Sequence, residues 1–139
     1  MATVELRFSA LPEHVRTARL VAAAVARRAG VDEAVLDEVR LAVGEACSRA
    51  VSLHQSSGVS APVRVVLTEE EKRFSIEVGD EVSHAVTGGT EAGDEAAESE
   101  DQMGLAVISG LVDDVQVSAD ESGGVIRMSW PATPAPALP

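Results

Sequence analysis

The sequence predicts an α+β fold, a two-layer sandwich in which a mixed, mostly antiparallel sheet packs against helices. Two patterns carry the prediction. Three short segments alternate apolar and polar residues with the period of a strand, and two long ones repeat apolar residues at helical spacing. A third observation gives the core its character: 45% of residues are hydrophobic but only 2% aromatic, so Val, Leu, Ile and Ala must fill it. At 139 residues the chain has the size of one domain, assigned to residues 1–130, with residues 131–139, "PATPAPALP", as a disordered Pro/Ala tail.

Each element has its own justification. In "TVELRF", Val4, Leu6 and Phe8 share one face of a first strand. Pro12 and Glu13 suit the first turn of a helix, Arg27 and Arg28 suit its last, and Gly30 stops it. Asp32 is the expected N-cap of a second helix reaching about residue 53, whose stripe includes Val39, Val43, Ala46 and Ala50. Residues 63–67 and 74–78 alternate on either side of the charged "TEEEKR" and predict an antiparallel pair. Residues 80–102 are rich in Gly, Ala, Ser and carboxylates without periodicity, which predicts a long flexible acidic loop. A short helix at 104–111 and strands at 115–117 and 125–130, turning at "DESGG", complete the domain. Trp130 is expected to pack against the sheet edge.

The charge of −12 argues against nucleic acid, whose binding requires clustered Lys and Arg, and favours a basic protein partner. Cys47 is the single cysteine, so no intramolecular disulfide forms, and a reducing cytoplasm fits. The longest apolar run, "LVAAAVA", is too short to span a bilayer, and the N-terminus does not read as a signal peptide, so no membrane association is expected. His14, His54 and His84 are far apart and lack ligand spacing, so no metal site is expected; His54, near a helix end, is expected to meet unpaired carbonyls. Glu45 and Arg49 stand one helical turn apart. On bare helix chemistry they form an i, i+4 ion pair contributing about 0.2–0.5 kcal/mol.

Three stretches taken in order, "FSALPEHVRTARLVAAAVA", "LDEVRLAVGEACSRAV" and "MGLAVISGLVDDVQV", resemble the bacterial anti-sigma-factor serine kinases of the SpoIIAB and RsbW type. Those proteins are histidine-kinase-like (Bergerat-fold, GHKL) ATPases. The resemblance runs over about residues 3–130 and implies that fold. It also gives Glu45 the position of the general base acting on a partner's serine hydroxyl, and Arg49 the position of an Asn that ligates magnesium. Asp80 takes the position of the carboxylate that binds the adenine amino group, and Gly104 that of a phosphate-site glycine. Arg19 falls where the first helix contacts both the sigma factor and the competing anti-anti-sigma protein.

The match departs from the family's pattern at the nucleotide. Arg49 cannot ligate a cation, Val82 and His84 stand at glycine positions, Gln102 replaces a phosphate-site glycine, and the loop corresponding to the ATP lid is acidic. The sequence therefore reads as a cytoplasmic regulator of the partner-switching type. It binds a sigma factor and/or a small STAS-type anti-anti-sigma protein, and its nucleotide binding is lost or weakened. No cofactor is expected, with ATP and Mg entering only if the site still functions. The alternative is an active ATP-dependent serine kinase that phosphorylates the anti-anti-sigma partner. A third reading is a nucleotide-free subunit that modulates a true kinase by heterodimerisation. The resemblance also implies a homodimer. An intermediate reading of the helix pair has the Arg49 guanidinium in the place of the metal, neutralising Glu45.

Overall fold

A computed structural model describes residues 2–83 and 105–133. Gln102, His84 and Gly104, most of the acidic loop and the end of the Pro/Ala tail lie outside the described residues. Strand β1 (Ala2–Phe8) leads into helix α1 (Pro12–Ala29), a single 3-10 turn (Glu33–Val35) and helix α2 (Leu36–Ser57). The hairpin β2 (Val63–Glu70) and β3 (Arg73–Asp80) follows. Residues 105–111 form a short helix, α3, before β4 (Asp114–Asp120) and β5 (Gly123–Pro131).

The five strands lie in the order β1-β2-β3-β5-β4, and all four pairings are antiparallel. The α+β sandwich is as expected, but among the described residues no parallel pair makes the sheet mixed. One face of the sheet is apolar because strand residues alternate: Val63, Val65 and Leu67 of β2 register beside Phe74, Ile76 and Val78 of β3, all buried. The helices cover this face. Much of the covering surface is alanine: Ala18, Ala22 and Ala26 of α1 and Ala42, Ala46 and Ala50 of α2 are all at most 2% exposed. Small side chains there let both helices lie close to what they pack on.

Helix α1 begins with Pro12 and ends at Gly30 in the left-handed conformation, φ 97°, whose N–H reaches the Arg27 carbonyl while that of Val31 bonds Ala26. Asp32 caps as expected, but what it caps is the 3-10 turn: its Oδ1 accepts from Ala34 N at 3.0 Å, and α2 starts four residues later at Leu36. Helix α2 also runs past residue 53 to Ser57, because polar "HQSS" interrupts the apolar pattern without breaking the helix.

Trp130 corrects a second expectation. Trp130 lies one residue beyond the pairing of β5 with β4, yet it is an interior residue, 4% exposed, its ring stacked 6.3 Å from Phe74 on the registered position of β3. Strand β5 also extends beyond residue 130, to Pro131. Ala132 is buried and donates its N–H to the Lys72 carbonyl, and Thr133 N donates to the Gly30 carbonyl, so the first residues of the expected tail are docked.

Candidate functional site

Strand alternation sends Asp80, the last residue of β3, to the helix-facing side, in line with Phe74, Ile76 and Val78. A carboxylate there must be satisfied internally, since an unpaired buried charge is strongly unfavourable. Its Oδ1 accepts from Val82 N at 3.0 Å and Gly124 N at 3.2 Å, and its Oδ2 lies 3.9 Å from Arg49 Nη1. The side chains of Arg49 and Asp80 are 9% and 2% exposed, so this is a buried ion pair.

The pairing corrects the reading of the helix. Arg49 turns away from Glu45 towards the sheet, and Glu45 stays exposed on α2 with no ion pair among the described residues. The guanidinium of Arg49, which the resemblance sets at a metal-ligand position, faces the Asp80 carboxylate instead of Glu45. Val82, at a glycine position of the resembled pattern, is buried with its backbone N–H on Asp80. Across from it, β5 presses on the same residue: a Cβ on Gly123, φ 153°, would stand 2.0 Å from the Asp80 carbonyl oxygen. A bare backbone is therefore required there.

His54 was not among the candidates, although it extends the buried stripe of Val43, Cys47 and Ala50 by one further turn. It is fully buried. Nε2 accepts from Glu81 N at 3.0 Å, which leaves Nδ1 as the protonated nitrogen, donating to the Ala61 carbonyl at 2.9 Å. The expected carbonyl partner is real, but it lies in the loop before β2 rather than at the helix end. Through this ring the C-terminal part of α2 grips the residue that follows Asp80.

Other candidates separate from this cluster. Arg19 is exposed on α1, and its stem lies across Gly44 of α2, the residue before Glu45. The Cys47 thiol is pushed up to about 12 by burial and is therefore a protonated packing group rather than a nucleophile. A cavity of about 370 Å³ opens beside Asp80, but its lining of Arg7, Arg64, Gly79, Ser118 and Val125 belongs to the sheet face opposite the helices. No cluster of three or more metal-ligating side chains occurs among the described residues, and no helix there is long and apolar enough to cross a membrane.

The arrangement is a poor fit to a magnesium nucleotide. The would-be metal ligand is a cation directed at Asp80, and both oxygens of the would-be adenine acceptor already face internal partners. Chemically, the cluster is a clasp joining α2, β3 and β5.

Two comparisons bear on this geometry. Residues 8–130 match the profile of the histidine kinase-like ATPase domain. The fold is similar to that in the crystal structure of the RsbU and RsbW domains of Rv1364c from Mycobacterium tuberculosis, with a TM-score of 0.67 and 15% sequence identity. That match covers 100% of this chain and 35% of the other, so the chain spans about a third of its structural neighbour. No curated protein is significantly similar to it.

Proposed function

Because this chain belongs to the histidine kinase-like ATPase domain family, we propose that it is an anti-sigma-type regulator in which protein binding has outlived nucleotide chemistry. The observation that carries this reading is the buried Arg49–Asp80 pair. An arginine at the metal-ligand position satisfies the nucleotide-binding carboxylate from within, so the pocket is held together without ATP or magnesium. Glu45 then has no phosphoryl donor to work with, and its carboxylate is a surface group on α2.

The partner would be a sigma factor and/or a small STAS-type anti-anti-sigma protein, bound to the exposed sides of α1 and α2. Arg19 is the anchor of that surface, since arginine supplies several fixed donors to a carboxylate or carbonyl. The net charge of −12 suits a partner with a basic face, raising the encounter rate more than the affinity. The structural neighbour that carries RsbU and RsbW domains, matched over 100% of this chain and 35% of its own, supports the fold on which such a role rests. A second reading, an active serine kinase, is favoured by one observation, the exposure of Glu45 at the general-base position.

Calorimetric titration of a purified STAS-type protein, or of a sigma factor, into the nucleotide-free chain tests the proposal. Binding without ATP, weakened about tenfold or more by Arg19→Ala, is expected for an anchor residue. Binding that requires added ATP and magnesium, or phosphate transfer to the STAS serine, would replace it with the kinase.

A further inference from the structure

Gly44 lies well inside α2, where glycine is the least favourable residue short of proline. It is not there for an unusual backbone, since the helix runs straight through it. A Cβ at this position would stand 3.0 Å from Arg19 Cδ, 3.4 Å from Nε and 3.5 Å from Cγ. The three nearest atoms all belong to one side chain. The stem of Arg19 occupies the notch that the missing side chain leaves.

The rest of Arg19 is at the surface. Its residue is exposed, and its guanidinium makes no hydrogen bond or ion pair among the described residues. A free arginine that docks on a partner loses rotamer freedom, and holding its stem in advance removes much of that loss. The neighbours extend the surface. Leu20, beside Arg19, is 59% exposed, and Leu41, one turn before Gly44, is 52% exposed. A seated cation flanked by open leucines fits a protein segment that offers a carboxylate among apolar side chains.

We propose that Gly44 is the positioning residue for Arg19: its missing side chain seats the arginine stem and presents a pre-organised guanidinium to a carboxylate of the partner protein. The proposal rests on the docking role of α1 given above. Gly44→Ala makes the stem give by a few tenths of an ångström, whereas Gly44→Leu fills the notch and dislodges it.

NMR of the free chain reads the seat directly. The Arg19 Nε–H resonance is ordered in the wild type and becomes as mobile as that of the exposed Arg16 in Gly44→Leu. Calorimetry with the purified STAS-type protein reads the consequence. Gly44→Ala weakens binding about threefold and Gly44→Leu about as much as Arg19→Ala, while in the Arg19→Ala background Gly44→Ala changes nothing. The melting temperature of Gly44→Ala rises, because alanine is the better helix former, whereas a purely structural glycine would give a fall. An Arg19 resonance unchanged in Gly44→Leu overturns the proposal. So does an equal loss of affinity from Gly44→Ala in both backgrounds, since the partner would then approach Gly44 itself. If Arg19→Ala leaves binding intact, the docking reading fails and takes the partner half of the proposal with it, and the resonance alone still decides whether Gly44 seats Arg19.

Discussion

Replacing Arg49 with alanine leaves the Asp80 carboxylate buried, 2% exposed, on the backbone N–H groups of Val82 and Gly124 but without the guanidinium at 3.9 Å. At an effective dielectric of about 20, unit charges at that separation attract by about 4 kcal/mol before desolvation is counted. Breaking a buried pair from one side costs about 3–5 kcal/mol, because a buried charge loses an opposite charge, and the 3.9 Å separation favours the lower end. A loss of about 3 kcal/mol follows. With an unfolding entropy of about 0.3 kcal/mol/K for a chain of this length, that lowers Tm by about 10 °C. Asp80→Asn alone should also destabilise, since it leaves the guanidinium with less charge to face. The double variant Arg49→Met/Asp80→Asn removes both charges together and should recover to within about 1 kcal/mol of the wild type. Urea unfolding of the four proteins gives the coupling energy, expected at about 2 kcal/mol. Additive effects of the two single changes, to within about 0.5 kcal/mol, would refute the clasp.

Three further changes probe the same region. Gly123→Ala forces a methyl group against the Asp80 carbonyl oxygen, 2.0 Å away, and should cost about 3 kcal/mol or prevent folding, read by urea titration. His54→Ala strands the Glu81 N–H and the Ala61 carbonyl and opens a void, so a loss of about 2–4 kcal/mol is expected, with hydrogen exchange at Glu81 accelerating more than in the β2–β3 pairing. Cys47 governs the alkaline limb of stability. Its thiol is raised by burial to about 12 from 9.0, so above pH 9 the unfolded chain releases a proton that the folded chain keeps. Stability then falls by about 1.4 kcal/mol per pH unit towards pH 12, and Cys47→Ala should remove that part of the slope, measured by urea unfolding across the range.

Local patterns account for most of what the sequence revealed. Alternation located β1, β2 and β3, and apolar spacing with Pro12 and Gly30 located α1, since both signals depend on near neighbours. Ends were harder to read. Thr68, Glu69 and Glu70 continue β2 by pairing with Ser75, Phe74 and Arg73, although their side chains no longer alternate. Sheet order was not legible either. β5 enters between β3 and β4, and that non-local pairing sets Trp130 beside Phe74. The site divides in the same way. Glu45, Arg49 and Asp80 were visible as positions, but whether Arg49 turns to its helix neighbour or to Asp80 depends on how α2 lies over β3. Gly44 gave a local signal, a glycine inside a helix, whose meaning required the packing of α1.

The central claim is that the Arg49–Asp80 clasp has replaced magnesium nucleotide at this site, and calorimetric titration of the purified chain with ATP, with and without magnesium, tests it most directly. The account predicts no saturable heat up to about 1 mM ATP in either condition, an affinity weaker than about −4 kcal/mol. A magnesium-dependent Kd in the micromolar range would contradict it.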